Sequence, residues 1–99
     1  PSKGASTLVA INSAIEGLAR ALAMDLAPIR VNVVSPGVVD TPIFNRMDAE
    51  NREALFQKIS QSLLLQHVSE PEEVAEAYIY LARSTCTTGS VIQADGGTV

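Results

Sequence analysis

The residues best placed to do chemistry lie in one short stretch, residues 36–41 (PGVVDT), which follows an apolar, β-branched run. A strand that stops at a Pro-Gly bend delivers its loop to the carboxyl end of a sheet, where open α/β sheets bind their ligands. Elsewhere the candidates are isolated. His67 has no partner in sequence and reads as a surface or capping residue. Cys86 reads as a small half-buried side chain, and one cysteine with one histidine provides no metal-ligand pattern. Ser35 lacks the G-x-S-x-G surround of a hydrolase nucleophile. Asp40 has two readings, contact with a ligand or bonding to amides of its own turn. Tyr78 reads as core and Tyr80 as an interface residue; neither has a lysine near it in sequence.

The elements that must position this loop are legible from periodicity. Leu8, Ile11, Ile15, Leu18, Leu22 and Leu26 recur at three- and four-residue steps and so share one face of a helix, with Ser6 or Thr7 as its N-cap and Pro28 ending the pattern. Residues 30–35 (RVNVVS) suit a short strand covered on both faces. An irregular connection over 42–47 leads to a helix over 49–64, capped by Asp48, with Leu55, Phe56, Ile59 and Leu63 as its apolar stripe. Ser69, with Glu72 three residues on and Pro71 between them, predicts a capping box opening a helix over 70–83, whose buried face is Val74, Ala77, Tyr78 and Leu81. A turn over 87–89 leads to a strand over 90–94, and Asp95-Gly96-Gly97 reads as a tight turn after it. The order helix, strand, helix, helix, strand makes the fold class α/β, with two parallel strands joined by a right-handed crossover.

Composition excludes several functions. The formal net charge is −4, with seven basic residues dispersed along the chain, so there is no electrostatic footprint for nucleic acid or an anionic membrane. No uninterrupted apolar run approaches a membrane span. One cysteine cannot form an internal disulfide, which fits a cytoplasmic protein. Ninety-nine residues make at most one domain, only marginally large enough for its own core.

The succession NSAIEGLARALAMDLAP, RVNVVSPGVVDTP, SEPEEVAEAYIYLA and TTGSVIQADGG resembles the C-terminal part of the short-chain dehydrogenase/reductase family, and the four landmarks cover nearly the whole chain in order. The resemblance implies the last two strands and three flanking helices of a Rossmann-type parallel sheet over 1–99. It also implies NAD or NADP as cofactor, hydride exchange with a small-molecule alcohol or carbonyl substrate, and assembly as a homo-oligomer, the first helix packing on its symmetry mate. Carried over residue by residue, it puts Pro36, Gly37, Val39 and Thr41 in the loop on the nicotinamide side of the cofactor. A Pro-Gly bend would let backbone approach a planar ring there, and amides with a Thr hydroxyl can bond a carboxamide or phosphate oxygen.

The chain also departs from that pattern. The family's catalytic Tyr and Lys stand four apart on the first helix, the Lys sixteen residues before the proline that ends it; those positions hold Leu8 and Asn12 here. Lys3 stands 25 residues before Pro28 and reads as a loop residue upstream of the site. Asn12 can hydrogen-bond a ribose hydroxyl, whereas Leu8 cannot transfer a proton. The six glycines form no G-x-G-x-x-G turn for a pyrophosphate. Two strands are too few for a stable open sheet and leave a strand edge and helix faces uncovered. Three expectations follow: an oxidoreductase piece completed by an N-terminal half, a catalytically inactive relative serving as a binding or oligomerisation module, or an incomplete chain without activity of its own.

Overall fold

The computed structural model describes residues 4–40 and 42–97; the readings of Lys3 as a loop residue and of Thr41 as a ligand residue lie outside the described residues. The elements are α1 (Ser6–Asp25), β1 (Val33–Pro36), a 3-10 helix (Pro42–Arg46), α2 (Ala49–Ser62), α3 (Pro71–Arg83) and β2 (Val91–Ala94). The expected order is therefore met, with the 3-10 helix in place of an irregular connection. β1 and β2 pair in parallel, Val33 opposite Val91 and Pro36 opposite Ala94. The whole segment between them forms the crossover, so both strands end on the same side.

Local physics explains the shifted boundaries. β1 starts at Val33 and not at Arg30 because the preceding residues spend their hydrogen bonds on side chains. The Asn32 carboxamide donates to the Thr87 carbonyl at 3.0 Å and accepts the Ser90 N–H at 3.1 Å, and the Val31 N–H goes to Thr88 Oγ1 at 3.1 Å. Arg30 reaches further, donating to the Leu81 carbonyl at 2.6 Å and to Ala82 at 3.3 Å, which satisfies carbonyls in the last turn of α3. α2 begins as expected, with Asp48 Oδ1 accepting the Asn51 N–H at 2.8 Å. It stops at Ser62, two residues early, because Leu63 turns into the core while the Leu64 and Leu65 N–H groups donate to the carbonyls of Gly97 and Gly96.

Two cap assignments need correction. The N-cap of α1 is Ala5 without a side-chain bond, and Ser6 is already inside the helix. The N-cap of α3 is Glu70, whose N–H donates to Glu73 Oε1 at 3.0 Å, with Pro71 in the first turn. Ser69 lies one residue before that cap, outside the helix start; it is buried, and its carbonyl receives the Asp40 N–H at 2.8 Å.

The core is small: Ala19, Ala23, Leu63, Val74 and Leu81 are its buried apolar members among the described residues. Tyr78, expected in the core, is 56% exposed, since the narrow sheet covers only the Val74 and Leu81 line of α3. Cys86 is exposed, not half-buried, and its Sγ lies 3.8 Å from the Ser84 hydroxyl. On α1 the buried residues are Ala19 and Ala23, while Leu8, Ile11, Ile15 and Leu18 are all about half exposed or more. The apolar stripe is thus real and uncovered here, as the two-strand count requires.

With 20 residues and an 18-residue window of mean hydropathy 1.2, α1 is long and apolar enough to cross a membrane by length and composition alone, although charged residues interrupt its apolar run. Glu16 and Arg20 sit in its middle, and an ionised side chain there costs about 2.5–3.5 kcal/mol at a bilayer centre. Glu16 instead lines a groove against β1.

Candidate active site

Both strands end at one edge, and the loops leaving them touch. A methyl group on Gly37 would stand 3.0 Å from the Asp95 Cβ and 3.1 Å from its Cα and carbonyl oxygen. The bend at Pro36-Gly37 is thereby packed against the turn after β2. That turn is held by the Gly97 N–H donating to Asp95 Oδ1 at 2.9 Å and by positive φ at Gly96 and Gly97, the tight turn expected there. Further along the loop, Val39 bridges to Ser69 in parallel fashion, next to the bond from Asp40 to Ser69. The loop is a strap fixed at both ends, by β2's turn and by the residue before α3.

Two grooves flank it. The narrower, about 240 Å³, lies between α1 and β1 and is lined by Asn12, Glu16, Val33, Val34, Ser35 and Pro36. Asn12 therefore shares a groove with Ser35 and Pro36, the end of β1, and Leu8 lies one turn before it on α1. The wider groove, about 690 Å³, opens between Asp40 and α2. The side chains of α2 that line it, among them Arg52, Glu53, Phe56 and Gln57, follow the three- and four-residue steps of one helix face. Phe56 is fixed by an edge-to-face contact with Phe44 of the 3-10 helix, ring centres 5.2 Å apart.

Of the residues singled out in sequence, Pro36 borders the narrower groove and Asp40 the wider one. Gly37 and Val39 serve the strap itself, through Asp95 and Ser69. Glycine at position 37 is thus required by the contact with Asp95, a neighbour 58 residues away that no local pattern reveals. The Asp40 carboxylate accepts no turn amide among the described residues, and Asp40 lines the wider groove. Among the described residues no group of three or more His, Cys, Asp or Glu side chains could hold a metal ion.

Beneath the strap, His67 meets α3. Its Nε2 lies 3.0 Å from Glu73 Oε2 and its Nδ1 3.2 Å from the Leu65 carbonyl, so the protonated ring donates to both. The hydrogen bond to Glu73, then the Leu65 carbonyl and the charge of Glu73, raise the His67 pKa. The Glu70 N–H, followed by His67, lowers that of Glu73. His67 stabilises fully below its unfolded value of about 6.5, and this is lost as pH rises through the raised folded value. Glu73 stabilises fully above its unfolded value of about 4.3, and this is lost as pH falls through the lowered one. The pair therefore acts fully between these two values. In a proton NMR titration the His67 midpoint is expected above the ordinary imidazole value and to fall back towards it in Glu73→Gln. An identical midpoint in both proteins would show that the pair does not form in solution. Both side chains are about half exposed, so the effect on global stability is expected to be small.

Comparison with known proteins agrees with this architecture. A family model described as enoyl-(acyl carrier protein) reductase matches residues 3–99. The short-chain dehydrogenase/reductase ATR9 of Stachybotrys chlorohalonatus is 43% identical over 97 residues, 98% of this chain and 38% of that protein. The structure of the MalC reductase/Diels-Alderase from Malbranchea aurantiaca superposes with a TM-score of 0.91 at 36% identity, over 99% of this chain and 38% of that one. A small-chain dehydrogenase in complex with NADPH gives a TM-score of 0.86 at 39% identity, over 95% of this chain and 43% of that one. The chain thus spans well under half the length of the proteins it matches.

Proposed function

Since the chain belongs to the short-chain dehydrogenase/reductase family, we propose that residues 1–99 form the C-terminal part of a Rossmann-type oxidoreductase domain that transfers hydride between NAD(P)(H) and a small alcohol or carbonyl compound. The observation that carries this reading is the convergence of Asn12, Ser35 and Pro36 in one groove at the carboxyl end of β1. That groove fits part of such a cofactor. Its volume of about 240 Å³ suits one ring with its sugar, and the Asn12 carboxamide and Ser35 hydroxyl suit ribose hydroxyls. The pyrophosphate would be held by residues other than these. When bound, the cofactor supplies the hydride. Asn12 orients the sugar, the strap of residues 36–40 fixes the strand end beneath the ring, and the wider groove beside Asp40 receives the substrate.

The second reading is a catalytically silent relative that keeps the fold as a binding or oligomerisation module. Leu8, which has no transferable proton, and the uncovered apolar face of α1 favour it. That face would pack on a second copy. Either reading fits a cytoplasmic protein with one cysteine.

Fluorescence titration of the complete domain with NADH and NADPH tests the proposal. Saturable binding is expected, weakened about tenfold by Asn12→Ala, the effect of one lost hydrogen bond. Absence of binding to both cofactors overturns it. Binding without turnover of any carbonyl compound favours the silent relative.

A further inference from the structure

The wider groove carries a charge arrangement that limits what can occupy it. Arg52 projects from α2, half-buried, and its Nη1 donates to Asn45 Oδ1 at 2.7 Å. Among the described residues no carboxylate lies within ion-pair distance of it, and its Nη2 and Nε make no other hydrogen bond. The guanidinium is therefore held by one neutral partner and keeps Nη2 and Nε for whatever enters. A planar fork of donors matches a planar acceptor, either a carboxylate or an amide carbonyl. Two neighbours decide between them. Asp40 and Glu53 line the same groove, so its formal charge is −1, and a carboxylate entering it would meet more like charge than opposite charge. Those same carboxylates accept hydrogen bonds, which an amide N–H supplies and a carboxylate cannot. Phe56, fixed by Phe44, adds a flat apolar wall.

We infer that this groove selects a neutral substrate bearing an amide-type group, an acceptor and a donor side by side next to a flat ring, and rejects the corresponding acid. Arg52 takes the carbonyl oxygen, and Asp40 or Glu53 takes the N–H. The inference rests on the proposal that substrate enters here, and it names the class of that substrate.

Equilibrium binding of two non-reacting probes, benzamide and benzoate, separates the two claims, because neither probe requires hydride transfer. With the complete domain labelled with nitrogen-15, benzamide is expected to shift the Arg52 Nε–H resonance, and benzoate to bind at least tenfold more weakly. Joint Asp40→Asn and Glu53→Gln substitution is expected to raise benzoate affinity to that of benzamide, and Arg52→Leu to weaken benzamide about tenfold. Benzoate binding as tightly as benzamide to the unsubstituted protein, or no shift at Arg52 with either probe, overturns the inference even if the protein reduces carbonyl compounds. Selective amide binding by a protein that binds neither NADH nor NADPH would instead sink the oxidoreductase reading and leave only the groove's selectivity for a neutral amide.

Discussion

Joint substitution of Leu8 by Tyr and Asn12 by Lys in the complete domain is expected to raise carbonyl reduction by about 100- to 10,000-fold, the range a positioned general acid contributes. α1 already carries position 12 into the groove at the end of β1, and position 8 lies one turn away on the same helix. A phenol at 8 would supply the proton that Leu8 cannot. A lysine at 12 would lower the phenol's pKa through its charge. Glu16, four residues beyond in the same groove, would compete for that ammonium, which favours the lower part of the range. Leu8→Tyr alone should gain much less, since an unassisted phenol titrates near about 10, and Asn12→Lys alone should gain nothing. Steady-state rates at saturating NADPH provide the check. A double variant that folds and binds cofactor but is no faster would show that positions 8 and 12 are not where the family's Tyr and Lys stand.

Gly37→Ala is expected to cost stability by overpacking the two strand-end loops. Its methyl group would meet the Asp95 Cβ at 3.0 Å and, at 3.1 Å, the backbone of a residue held in its own turn, so no flexible side-chain end can yield. Overpacking of this kind costs about 1–3 kcal/mol. In a complete domain of its relatives' length each kcal/mol lowers Tm by roughly 2–4 °C. Gly17→Ala is the natural control, since Gly17 is helical and nothing lies within 4 Å of the added carbon. It should stabilise by about 0.5–1 kcal/mol through helix propensity. Urea midpoints of the two variants should therefore move in opposite directions. A Gly37→Ala midpoint equal to the unsubstituted one would mean that the two strand-end loops do not touch in solution.

Many features of the fold were legible because they depend on residues within a turn of one another. The three- and four-residue spacing of Leu8, Ile11, Ile15 and Leu18 marks α1, Asp48 marks the start of α2, and Pro71 marks that of α3. Local pattern misleads where a distant partner decides a residue's surroundings. Ser69 looks like a cap, but it bridges to Val39 and α3 begins one residue later, capped by Glu70. Residues 30–32 look like strand, but Arg30 and Asn32 reach residues more than 50 positions away. Tyr78 has the spacing of a core residue, yet the two-stranded sheet is too narrow to cover it.

The order and type of the elements, the family they resemble, and the presence of Leu8 and Asn12 where that family has its Tyr and Lys are all readable along the chain. These rest on residue types at fixed spacings, and a helix or a strand reads such spacings directly. Only the tertiary structure decided that Gly37 is a contact for Asp95, that Asn12 shares a groove with Ser35 and Pro36, and that Arg52 shares one with Asp40 and Glu53. The parallel crossover brings together residues that local spacing leaves independent, because a parallel pair of strands must return through the whole intervening chain before either end can meet the other.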